Sequence, residues 1–108
     1  MTQDTVAVMY QIRDVIKDTV PENMRYFISD DWMASNAQMY RANEAPIAVS
    51  AFLSNLDDSE VAVPKHLLEQ LLSAAKPLIV GGEVSEEKFG AMSERLRSNA
   101  KSDQAILH

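Results

Sequence analysis

Apolar side chains recur three and four residues apart in four stretches of this chain. Val8, Met9, Ile12, Val15 and Ile16 form the first, and Val49, Phe52, Leu53 and Leu56 the second. Leu67, Leu68, Leu71, Leu72 and Ala75 form the third, and Phe89, Met92 and Leu96 the fourth. Residues at that spacing share one face of an α-helix, so each stretch predicts a helix with one side buried. In the first stretch Gln11, Arg13, Asp14, Lys17 and Asp18 fall mostly off the stripe, as an amphipathic helix requires.

Start and stop signals bound these helices. Asp4 or Thr5 caps the first, because a short oxygen-bearing side chain accepts from the free N–H groups of the first turn. The helix runs to about Thr19 and breaks at Pro21. Residues 24–28, Met-Arg-Tyr-Phe-Ile, fit either a short strand or a helical piece opened by Pro21. Ser29, Asp30 and Asp31 open another helix, with Trp32, Met33, Ala37 and Tyr40 on one face, that extends to about Asn43. Pro46 opens a helix over 46–56, since its missing N–H costs nothing in a first turn.

Asn55 to Glu60 reads as a polar turn, and residues 61–63 as extended, because a proline ring at Pro64 disfavours helical geometry just before it. Pro64 opens a helix over 64–76 that Pro77 ends, followed by Leu78-Ile79-Val80 as a connector or short strand. Gly81-Gly82 is a turn. Ser85 caps the last helix, and Val84 and Phe89 form a hydrophobic staple across its start. Glu86 and Glu87 at its beginning and Arg95 and Arg97 at its end complement the helix dipole.

The resulting expectation is an all-α fold, a bundle or orthogonal array of four to five short helices, with a minor short strand at 24–28 or 61–63 as an alternative. Residues 1–97 form a single domain, and 98–108 a polar, flexible tail with Ile106-Leu107 near its tip. The chain shows no internal repeat, no low-complexity tract and no linker that separates two domains.

Composition narrows the function classes. A net charge of −6, spread along the chain without a dense block, repels phosphate backbones and anionic lipid heads. The absence of cysteine removes disulfides, thiolate metal sites and cysteine nucleophiles, and fits a cytoplasmic home. No basic stretch followed by an apolar run marks a secretory signal, and the apolar runs are too short to cross a bilayer.

Little in the sequence suggests a reaction. His66-x-x-Glu69 supplies two ligand types on one helix face, but a zinc or iron site needs more. Asp57, Asp58 and Glu60 lack the central glycine and spacing of a calcium loop. No Gly-x-Ser-x-Gly elbow or phosphate-binding glycine loop occurs. The expectation is therefore a protein with no catalytic residues, metal or cofactor.

The strongest lead is the aromatic set Tyr26, Phe27, Trp32 and Tyr40, flanked by Arg25 and Arg41. Tyrosine and arginine are enriched where protein partners bind tightly, so Arg25, Tyr26, Tyr40 and Arg41 are the candidate partner-binding residues. Phe27 and Trp32 are assigned to the core. The chain then reads as a small acidic interaction module, a regulator, inhibitor or assembly subunit of the kind a phage or plasmid encodes. It docks through a helical face and pairs as a homodimer through surplus apolar surface on the first or third stripe. The alternative is a nucleic-acid-binding regulator that uses the helices at 64–76 and 85–97, although their connection is longer than a helix-turn-helix allows.

Overall fold

The structure is a computed structural model that describes residues 4–101. It contains α1 (Thr5–Ile16), α2 (Asp30–Met39), α3 (Ala45–Ser59), α4 (Lys65–Ile79) and α5 (Glu86–Asn99). A 3₁₀ segment, Glu22–Ile28, precedes α2, and a π-helical turn, Tyr40–Glu44, follows it. The fold is all-α, and the only sheet-like pairings among the described residues are the isolated bridges Pro64–Lys101 and Val80–Val84.

The helices start where short polar side chains close free N–H groups. Asp4 accepts from the Val6 amide at 3.2 Å, Ser29 Oγ from Trp32 at 3.2 Å and Ser85 Oγ from Lys88 at 3.1 Å. Inside α1, Val8, Met9, Ile12 and Ile16 are buried, but Val15 is 52% exposed. Val15 therefore leaves the stripe in which its spacing placed it. It lies about 100° around the helix from Ile16 and points past the edge of the core.

The packing centres on α4, which meets α1, α3 and α5. Leu68, Leu71, Ala75 and Ile79 of α4 join Phe52, Leu53 and Leu56 of α3, and all are fully enclosed. Two antiparallel pairings flank this centre. Arg13 meets Asp30, Met9 meets Asn36 and Asp4 meets Arg41, so α1 and α2 run in opposite directions. Glu69 meets Arg97, and Lys76 shares a groove with Glu86, so α4 and α5 do likewise.

Arg13 ties the entrance of α2 to α1. Its Nη1 donates to the Ile28 carbonyl at 3.2 Å and to Asp30 at 2.8 Å, its Nε donates to Asp14 at 2.8 Å, and its guanidinium lies 5.3 Å from the centre of the Tyr10 ring. The hydrogen bond to Asp30 is the main reason its pKa is raised further above the ordinary arginine value.

Several boundaries differ from the sequence expectation. Residues 24–28 are not a strand, because the Pro21 carbonyl accepts the Met24 amide at 2.8 Å and starts the 3₁₀ segment. At 61–63 pairing reduces to one bridge, with Lys101 N donating to Val63 O at 2.9 Å and Lys65 N to Lys101 O at 3.0 Å. The helix expected to end at Pro77 continues to Ile79. Pro77 lies on the exposed face, so the Ser73 carbonyl that loses its helical donor is solvated, while Ile79 reaches the core. The α5 helix extends two residues beyond Arg97, to Asn99, and the chain then pairs at Lys101. The remainder of the expected tail, 102–108 with Ile106 and Leu107, lies outside the described residues.

Among the described residues two that are not glycine have left-handed backbone. Asn43, φ 69°, breaks the path between α2 and α3, a conformation asparagine tolerates. Glu60, φ 56°, terminates α3. Its side chain is exposed and nothing in the helix cap requires a glutamate there. Glu60→Gly relieves the Cβ strain and should raise unfolding free energy by about 1 kcal/mol, read from the midpoint of urea denaturation. An unchanged or lowered midpoint contradicts this account of the cap.

Candidate functional site

The aromatic set divides between core and surface. Phe27 is fully buried, with edge-to-face contacts to Trp32 at 6.1 Å and Phe52 at 6.0 Å between ring centroids. Trp32 is half-buried and lies against the same cluster. The 3₁₀ segment forces this split, because successive side chains there point in different directions, and Phe27 enters the core while Tyr26 faces out.

Tyr26 is 54% exposed yet held in place. Its hydroxyl donates to Asn55 Oδ1 at 2.7 Å, and its ring lies edge-on to Phe27 at 6.1 Å. Arg25 beside it is exposed, with Nε donating to the Val20 carbonyl at 3.1 Å. These bonds restrict two long side chains, so little further ordering is lost in any contact made through them.

Tyr40 and Arg41 lie elsewhere. They occupy the π-helical turn before α3, whereas Asn55, the anchor of Tyr26, is ten residues along that helix from Ala45, about 15 Å in helical rise. Tyr40 is half-buried and packs against the core, and Arg41 approaches Asp4 at 3.9 Å. The four candidate residues thus form two patches, Arg25 with Tyr26 and Tyr40 with Arg41.

The outward side of α3 carries residues that no motif in the sequence singles out. Ile47, Ser50, Ala51, Ser54, Asn55 and Asp58 recur at helical spacing on the outward side of α3. Ile47 is 46% exposed at one end of this strip, and Asn55 with its bound Tyr26 lies toward the other. The signal was available as a periodicity of small residues on the non-core side of the helix, a pattern that an apolar count overlooks.

Two of the other candidate groups, Asp57 and Glu69, are tied into ion pairs. Arg95 grips Asp57 through Nε and Nη2, at 2.8–3.2 Å. Arg97 grips Glu69 the same way, at 2.8 and 3.0 Å. Glu69 is thereby an ion-pair partner on the α4–α5 seam, and among the described residues no three His, Asp or Glu side chains converge to hold a metal ion. Three surface depressions among the described residues are open to solvent, and one of them collects Asp57, Asp58 and Glu60 beside Arg95. Among the described residues no helix is long and apolar enough to cross a membrane.

The Glu69 pair carries a pH signature. Hydrogen bonds from Arg97 hold the Glu69 carboxyl below its ordinary value, partial desolvation opposes this, and the charges of Arg97 and Lys65 add to the lowering. A carboxyl whose pKa is lower folded than unfolded stabilises the fold above the unfolded pKa and loses that contribution as pH falls through the folded one. Wild type should therefore exceed Glu69→Gln in stability above about pH 5, with the difference shrinking below about pH 4. Chemical denaturation of both proteins across that range measures it, and a difference independent of pH rules out the pair as its source. In comparisons with models of protein families, with curated proteins and with solved structures, this chain has no match.

Proposed function

We propose that this chain is a small non-enzymatic protein-interaction module, a regulator, inhibitor or assembly subunit of the cytoplasm. It docks on a protein partner through the surface formed by Tyr26, Arg25 and the outward strip of α3. The observation that carries this reading is the state of Tyr26, a large amphipathic ring 54% exposed and fixed by a 2.7 Å hydrogen bond. A rigid exposed tyrosine beside an arginine presents contact area at small entropic cost. Ile47 extends the apolar part of the same surface along a strip of small side chains that lets another backbone approach.

The second patch, Tyr40 with Arg41, supports this reading less, because Tyr40 contributes to the core. A nucleic-acid reading through α4 and α5 also has less support. The arginines of α5 that phosphates would use, Arg95 and Arg97, are each neutralised by a bidentate carboxylate.

Affinity capture from the source cell tests the proposal. A protein retained by wild type should be lost with Tyr26→Ala, while that variant keeps its helicity and loses less than about 1 kcal/mol of stability. Tyr40→Ala should instead lower the melting temperature. Equal retention of the same partner by wild type and Tyr26→Ala sinks the assignment of this surface.

A further inference from the structure

We infer that α2 is a lid. It opens as one rigid unit, hinged at Ser29 and at Ala42 with Asn43, while α1, α3, α4 and α5 stay packed, and it uncovers Met9, Phe27 and Phe52. The motion needs no partner bound at Tyr26.

The helix holds its place with little apolar surface. Its core residues are Met33, Asn36 and Ala37, with Trp32 half-buried against Phe27 and Phe52. By contrast, α1 buries Val6, Val8, Met9, Ile12 and Ile16. Asn36 is 2% exposed, yet its Nδ2 lies 3.8 Å from Met9 Sδ, a weak acceptor, and its Oδ1 finds no partner among the described residues. A buried amide without a strong partner gives up its hydration when the helix closes and regains it when the helix opens, so it favours the open state.

The ion pairs that link the ends of α1 and α2 face solvent. Arg13 meets Asp30 at 2.8 Å, but the Asp30 side chain is 94% exposed. Arg41 and Asp4, at the other end, stand 3.9 Å apart and both are more than half exposed. Water and salt screen such pairs, so they orient the helix more than they hold it. The backbone supplies the hinges. Ser29 is extended, with φ −67° and ψ 155°, just before α2. Ala42, with φ −96° and ψ 31°, and Asn43, with φ 69° and ψ 18°, leave helical geometry just after it. Rotation at these residues moves the helix without breaking the hydrogen bonds inside it.

Native-state hydrogen exchange of the whole chain, followed residue by residue by NMR at low urea, tests the lid. The hydrogen-bonded amides of α2 should exchange together through one opening, with protection about a hundredfold below that in the middle of α3 and α4. Asn36→Leu removes the orphaned amide and should slow α2 exchange about tenfold. If leucine distorts the packing, Arg13→Gln takes its place and should speed that exchange about fivefold. Ile79→Val weakens the α4 core and should speed exchange in α3 and α4 about threefold, while α2 keeps its wild-type rate. The lid is overturned by an α2 as protected as α4, or by rates in α2 that grade inward from its ends. It is equally overturned by α2 rates that neither α2 variant moves, or by an Ile79→Val effect that α2 shares in full.

Discussion

Everything in this fold depends on one helix being covered on several sides. The leucine-rich face of α4 has no water-stable conformation alone, and it is enclosed only when α1, α3 and α5 all lie against it. Each fully buried leucine contributes about 1.5–3 kcal/mol relative to exposure, so the row from Leu67 to Ala75 is a large share of what holds a small domain together. Proline placement follows from this. Pro77 costs the helix a hydrogen bond, yet the helix continues because Ile79 gains complete burial two residues later.

The polar part of the structure acts chiefly to join elements at defined places. Arg13 holds the start of α2 against α1, Arg97 closes the α4–α5 seam, and Arg95 links the end of α3 to α5. Such surface pairs add little stability singly, but they set which helix end lies beside which.

The surface that remains is uneven. Tyr26 stands out from the 3₁₀ segment because its neighbour Phe27 is drawn into the aromatic cluster with Phe52 and Trp32. The same pull that builds the core therefore presents the tyrosine, and Asn55 on α3 fixes it there.

Helix identity was legible along most of the chain, because periodicity and capping are local. Asp4, Ser29 and Ser85 act within three residues of their own positions, and the buried faces of α3 and α4 follow the 3.6-residue repeat. The sequence by itself therefore determined the all-α class, the helix starts and the part of the core carried by the four apolar stripes. Tertiary structure decided what depends on distant partners. It exposed Val15, carried α4 through Pro77, made residues 22–28 a 3₁₀ turn and set Tyr26 apart from Tyr40. At Ile79 and Phe27 the deciding atoms come from other helices, and burial there outweighs local preferences that run from about 1 kcal/mol for extended structure to about 3 kcal/mol for a proline inside a helix.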